Sequence, residues 1–204
     1  MLAGSLCSGY GGLDDVVCEA WGAELAWTAD NDPAASAVLA ARYPGVPNLG
    51  DIAVVDWAGV VPVDIVTAGF PCTNVSASGP RDGLQPGNRS GTWYHVVTAL
   101  TALRPALVVI ENVKGLLSAR AHSSVEPCEV CVGDPPGRVL RALGAVLGDL
   151  SSLGFDAEWE TVPAADAGCC HLRERVFVVA WQGGASPVPH ADRPAGGQRR
   201  LAAS

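Results

Sequence analysis

The chain has 204 residues, 49% of them hydrophobic, which is enough to bury one sizeable core. It contains no run of about 18 apolar residues, so no helical membrane span is expected, and no signal-peptide pattern precedes Gly4. The formal net charge of −8 does not suit a chain that grips nucleic acid by its phosphates over a broad basic face. Seven cysteines in such a chain read as free thiols in a reducing cytoplasm rather than as a disulfide scaffold.

The amino end is strand-like and runs into Ser8-Gly9-Tyr10-Gly11-Gly12, followed by a helix-like segment from Leu13 to Trp21. Glycines there let the backbone approach a ligand closely, and a helix amino end favours negative charge. The spacing is not the G-x-G-x-x-G of dinucleotide enzymes, which argues against a nicotinamide cofactor. A second strand, Ala23 to Ala29, ends in Asp30 and Asn31. A carboxylate about 20 residues beyond a glycine turn suits a ribose hydroxyl pair, although the same Asp could cap the helix that Pro33 opens. A short third strand is expected before Gly50-Asp51-Ile52, where Asp51 could accept a hydrogen bond from an adenine amino group or simply make a turn.

The apolar run Val63 to Ala68 reads as a buried strand and leads into Gly69-Phe70-Pro71-Cys72-Thr73-Asn74-Val75-Ser76. Pro71 fixes its own φ and biases Phe70 toward an extended conformation, so the backbone beside Cys72 is stiff. Strand ends in open α/β sheets are where ligands bind, which makes Cys72 a candidate nucleophile; the competing reading is a buried free cysteine. A polar stretch from Ser76 to Ser90, with Arg81 and Arg89, reads as a lid or an ordinary surface loop.

Trp93, Val96, Val97, Leu100 and Leu103 form one apolar helical stripe. Val139, Leu140, Leu143, Val146, Leu147 and Leu150 form another, closed by Gly154. Between them Leu107 to Val113 reads as a strand buried on both faces that carries Glu111 to the same sheet edge as Cys72. A carboxyl group there suits proton delivery, or it simply leaves the strand into solvent. Cys128-x-x-Cys131 is half of a zinc site that Cys169, Cys170, His122 or His171 could complete. Adjacent Cys169 and Cys170 are poorly spaced as ligands, and the expectation is a loop without metal. The alternation of elements implies an α/β fold with a doubly wound, mostly parallel sheet. One catalytic domain is expected over residues 1–182, with 183–204, rich in Gly, Pro and Arg, as a disordered tail.

Taken together, Ser8 to Gly12, Gly69-Phe70-Pro71-Cys72 with Ser76, Glu111-Asn112-Val113, and Arg173-Glu174-Arg175-Val176-Phe177 resemble four ordered motifs of the C5-cytosine DNA methyltransferases. The resemblance covers residues 2 to about 181 and implies the Rossmann-like fold of S-adenosylmethionine-dependent methyltransferases. It implies Cys72 as the nucleophile toward C6 of a flipped cytosine, Glu111 on the base's N3 and amino group, and Arg173 on the base, stabilising developing charge. Arg175 is expected to be structural or to face a substrate phosphate, with Ser76 and Arg89 also on the substrate side. Ser8, Gly9, Tyr10, Gly11, Gly12, Asp30, Asn31, Asp51, Ile52 and Pro71 are expected around the cofactor. DNA is the implied substrate, in restriction-modification or phage self-protection.

His171 and Thr73 stand where the family often has Gln. In the family a target recognition domain and a last Asn-containing motif follow the arginine segment; here residues 178–204 follow Phe177. Weak DNA affinity is therefore expected of this chain alone. Alternatives are a degenerate copy, a split enzyme whose second chain carries the recognition domain, an RNA cytosine methyltransferase, and a non-catalytic interaction module.

Overall fold

The computed structural model describes residues 1–71, 91–118, 142–171 and 173–183. The expectations for Cys72, Ser76, Arg81, Arg89, the Cys128/Cys131 pair and the tail from residue 184 lie outside the described residues. In chain order the elements are β1 (Leu2–Leu6), α1 (Gly12–Trp21), β2 (Glu24–Ala29), α2 (Pro33–Arg42), β3 (Ile65–Ala68), α3 (Thr92–Leu103), β4 (Leu107–Val113), α4 (Ala142–Ser152), β5 (Phe155–Pro163) and β6 (Glu174–Gln182).

The apolar runs behave as their composition requires. All four residues of β3 are buried, as are the first four of β4, so these strands are covered on both faces. Glycine and proline set the helix ends. Gly11 precedes α1 with φ 79° and Gly22 follows it with φ 61°, left-handed conformations that most side chains avoid. Asp32 caps α2 by accepting from the Ala35 amide at 2.8 Å, and Pro33 occupies the first helical turn.

The strands form one six-stranded sheet in the order β2-β1-β3-β4-β6-β5. The pairs β1–β2, β1–β3 and β3–β4 are parallel, and β6 runs antiparallel to both β4 and β5. The expected mostly parallel sheet is thus found in its first four strands. The antiparallel β5–β6 addition was not foreseen, because β5 (Phe155–Pro163) carries exposed Asp156, Glu158 and Glu160 and lacks the apolar run of a buried strand. Those charges suit its place at the sheet edge, where they discourage pairing with another chain. The expected third strand before Gly50 does not form. Its place is taken by a single parallel bridge between Thr28 and Asn48, since Pro44 and Pro47 remove two of the donors a ladder needs.

The larger core lies on the face covered by α3 and α4 and includes Trp27, Trp93, Leu100, Ile110 and Leu150. The first apolar stripe read from the sequence contributes to it, as does the Leu143, Val146, Leu147 and Leu150 part of the second; Val139 and Leu140 lie outside the described residues. The Trp93 indole N–H ties α3 to α4 by donating to Asp149 Oδ2 at 2.7 Å. The opposite face packs Ala3, Val17, Ile65, Leu107 and Val109, with α1 supplying Val17. The chain moves outward from β1 to β2 and then returns to place β3 on β1's other side, so the strand order reverses at β1/β3. Open α/β sheets bind ligands at the carboxyl ends of the strands flanking such a reversal.

Candidate active site

A cleft of about 900 Å³ opens at that reversal, lined among others by Cys7, Gly9, Asp30, Asp51, Gly69 and Pro71. The glycine turn forms one wall. Ser8 ties β1 to β2: its hydroxyl donates to the Ser5 carbonyl at 3.3 Å and accepts from the Ala29 amide at 3.2 Å. Gly9 has φ 54°, and a Cβ there would meet nothing within 4 Å, so the turn stands open at this point. Tyr10 is 62% exposed and does not line the cleft, while Gly11 is buried against Tyr43.

Asp30 is fixed by the backbone around it. Its Oδ2 accepts from the Gly9 amide at 2.8 Å and its Oδ1 from the Asp32 amide at 2.9 Å. Asn48, which sequence reasoning missed, pins the same residue: it accepts from the Asp30 amide and donates to the Asp30 carbonyl, each at 3.0 Å, and accepts from the Gly50 amide at 3.1 Å. One side chain therefore sets the spacing between Asp30 and the Gly50-Asp51 turn. Only the short bridge to Thr28 marks its place, a pairing that no sequence pattern announces. Asn31 and Asp51 are exposed at the rim, Asp51 Oδ1 accepts from the Ala53 amide at 2.9 Å, and Ile52 is buried beneath them. His95, on the first turns of α3, also lines the cleft and was not anticipated.

The lining includes Asp30, Asp32 and Asp51 but no Lys or Arg among the described residues. Cys7 registers the sign of that field. Burial, and then the carboxylates of Asp30 and Asp51, push its thiol up to about 12, so it stays neutral and un-nucleophilic at physiological pH. An open glycine turn facing anchored carboxylates suits a cationic ligand that carries a ribose.

The other side of the site is built by β3, β4 and β6. Phe70 is buried with its ring 5.1 Å from that of Trp93, and Pro71 follows it, exposed, at the cleft. Asn112 on β4 donates to the Phe70 carbonyl at 3.1 Å. Glu111 precedes it on the strand, and a Cβ built on Gly69 would lie 4.0 Å from Glu111 Oε2, so the carboxylate borders the segment that leads to Cys72.

Glu111 is half-buried and ion-paired: Arg175 Nε lies 2.6 Å from its Oε1. Arg175, read as structural or phosphate-facing, is the one that meets Glu111. Arg173 is exposed, and its guanidinium has no hydrogen bond or ion pair among the described residues. The register explains this, since pairing of Arg175 with Val113 brings it beside Glu111 whereas Arg173 lies beyond the end of β6. Among the described residues, no group of three or more His, Cys, Asp or Glu side chains is placed to hold a metal ion.

The model of the C-5 cytosine-specific DNA methylase family matches residues 1–198. The chain belongs to that family. It is 30% identical over 152 residues to the type II methyltransferase M.NlaIV of Neisseria lactamica, a match covering 74% of this chain and 33% of the relative. It is 31% identical over 190 residues to the type II methyltransferase M2.BsuMI of Bacillus subtilis, covering 86% of this chain and 41% of the relative. The Schizosaccharomyces pombe Dnmt2 methyltransferase shares the fold, with a TM-score of 0.65 at 17% identity over 91% of this chain and 52% of that one. The chain therefore spans between a third and about half of the length of these methylases. Family and fold together imply S-adenosylmethionine as the methyl donor, and no described helix is long and apolar enough to cross a membrane.

Proposed function

We propose that this chain carries the catalytic half of a DNA cytosine-5 methyltransferase of a restriction-modification or phage-protection system. The observation that carries this reading is the meeting of Glu111 with the Gly69–Pro71 segment beside an acidic cleft. When bound there, S-adenosylmethionine would supply an electrophilic methyl group. Asp30 would hold the ribose hydroxyls through the carboxylate that Gly9 and Asp32 orient, and the Asp51-Ile52 turn would hold the adenine.

Cys72 follows Pro71 directly and would form the covalent bond to C6 of cytosine, a role that a thiol suits because its thiolate is accessible near neutral pH. Glu111 would hold N3 and the exocyclic amino group and place a proton on N3 as C6 is attacked, which makes C5 nucleophilic. Arg175 keeps the Glu111 carboxylate oriented, and its contact with Glu111 favours it over Arg173 as the cation that would steady developing negative charge. After methylation, loss of the C5 proton and expulsion of Cys72 restore the ring.

Target recognition is proposed to come from the part of the relatives that this chain does not match, carried on the same polypeptide or on a second chain. The described cations favour this reading. Among the described residues Arg42 pairs with Asp15, Lys114 with Glu174 and Arg175 with Glu111, so three of the five described cations are already engaged by carboxylates.

A trapping assay tests the proposal. The protein is incubated with tritiated S-adenosylmethionine and DNA containing 5-fluorocytosine, whose fluorine blocks the final elimination. A labelled covalent adduct that disappears in Cys72→Ala is the expected result. An adduct that persists in Cys72→Ala sinks the mechanism. No adduct despite measurable cofactor binding points to a degenerate copy or to a recognition part carried elsewhere on the polypeptide or on a second chain.

A further inference from the structure

We propose that Arg42 and Tyr43, at the carboxyl end of α2, are positioning residues that clamp the cofactor turn from behind. The inference rests on the cofactor reading above. Arg42 Nη1 donates to the Tyr10 carbonyl at 2.6 Å, and its Nη2 pairs with the Asp15 carboxylate. The Tyr43 hydroxyl lies 2.8 Å from the Gly11 carbonyl and 2.6 Å from Asp15 Oδ1, sharing its proton between them. The Arg42 guanidinium sits 5.6 Å from the centre of the Tyr43 ring, so the two side chains also brace each other.

The fit at the turn is close. A Cβ on Gly11 would lie 2.3 Å from the Tyr43 oxygen, so this residue is glycine for lack of room as well as for its φ of 79°. Burial and the bond to Asp15 push the phenol's ionisation up, so it remains a donor throughout the physiological range. The other end of α2 faces the cleft, where Asp32 and Pro33 line it and Asp30, just before the helix, accepts from the Gly9 amide. One helix thus holds the turn at both ends: Gly9 through Asp30, and Tyr10 and Gly11 through Arg42 and Tyr43.

Neither Arg42 nor Tyr43 lines the cleft, so their effect on a ligand must pass through the turn. A segment with three glycines among four residues loses much conformational entropy when a ligand orders it. Ordering it beforehand removes that loss from binding. The clamp is therefore expected to act on cofactor affinity and not on the chemical step.

The test uses Tyr43→Phe, which keeps the ring, and Arg42→Lys, which keeps the charge but cannot reach Tyr10 and Asp15 together. Amide hydrogen exchange without cofactor is expected to accelerate at residues 9–15 and not in β3 or β4. Calorimetry with S-adenosylmethionine, well below the melting temperature, is expected to show roughly three- to tenfold weaker binding. In turnover, the KM for the cofactor should rise while kcat at saturation holds. A lowered Tm with unchanged cofactor affinity and unchanged exchange in the turn would overturn the clamp, as would acceleration spread across the sheet. Should the unsubstituted protein fail to bind S-adenosylmethionine, the cofactor reading fails, and the exchange measurement, which needs no cofactor, still decides whether Arg42 and Tyr43 hold the turn.

Discussion

Asn112 donates its side-chain amide to the backbone carbonyl of Phe70, 42 residues earlier in the chain, at 3.1 Å. The bond fixes the last turn before Pro71 to β4, while the Phe70 ring is fixed to α3 through Trp93. The peptide that delivers Cys72 is therefore held from two elements. Asn112 is buried and its Oδ1 also accepts from the Val113 amide at 2.8 Å, so truncation leaves the Phe70 carbonyl without a donor. Asn112→Ala should cost about 1–3 kcal/mol in stability. It should also lower kcat for methyl transfer by at least about tenfold, as expected when a reacting group is misplaced by a fraction of an ångström, while cofactor affinity stays unchanged. Asn112→Asp should be no better, because a carboxylate cannot donate to a carbonyl. Thermal melts with steady-state kinetics check this; full activity in either variant removes Asn112 from the positioning of the nucleophile.

Asn48 and Asp30 make a second pair whose loss should be read at the cofactor. Asp30→Ala removes a carboxylate placed for hydroxyl groups and should weaken S-adenosylmethionine binding by about 1.5–3 kcal/mol. Asn48→Ala removes no proposed ligand contact. It frees the Asp30 backbone from the Gly50 turn and should weaken binding by about 1 kcal/mol, through disorder of both arms. Calorimetry on the two single variants and the double variant decides between contact and support. Effects that merely add would show that Asn48 does not act through Asp30.

Much of this site could be read in the sequence because the residues involved are punctuation or interruption. Glycines at 9, 11 and 12, a proline at 71 and a carboxylate inside an apolar strand at 111 all break a local pattern; Gly9 and Pro71 line the cleft, and Glu111 borders Gly69, which also lines it. The parallel part of the sheet was legible for the same reason, since apolar runs without alternation have few other places to go. Illegible were the contacts that reach across the fold. Asn48, Arg42 and Tyr43 are ordinary in their local settings, and Asn112, though part of a motif, gives no sign of its bond to Phe70; the partners lie 18 to 42 residues away. The Arg175–Glu111 contact was hidden for a similar reason: the motif holds two arginines separated by one residue, and only the β4–β6 register decides which of them meets Glu111.

Cys7 offers a test of the cleft's electrostatics. Its thiol is held near 12 by burial first and by Asp30 and Asp51 second, so at pH 8 it should resist iodoacetamide while exposed Cys169 and Cys170 react. Asp51→Asn removes one of the two carboxylates and should speed Cys7 alkylation without altering the others. Peptide mapping by mass spectrometry gives the rates. Fast alkylation of Cys7 in the unsubstituted protein would contradict a neutral thiol facing an acidic cleft.

Asp14 carries the final prediction. It lies in the first turn of α1, almost fully buried, and Thr67 on β3 donates its hydroxyl to one carboxyl oxygen. Burial raises its pKa, and the Thr67 bond offsets only part of that rise. An unfolded chain would ionise this carboxyl near 4. Between that value and the raised one, the folded protein holds a proton that the unfolded chain has released, so this group's contribution to stability falls as pH rises through the window. Asp14→Asn keeps the shape and an oxygen for Thr67 but removes the titration. The difference in unfolding free energy between the two proteins should therefore shift in favour of the variant as pH climbs from 4 to 8. Denaturant titrations at several pH values measure that difference. A constant offset would mean that Asp14 is as easily ionised in the fold as out of it, and a shift toward the unsubstituted protein would mean that the buried carboxylate is held charged by a partner.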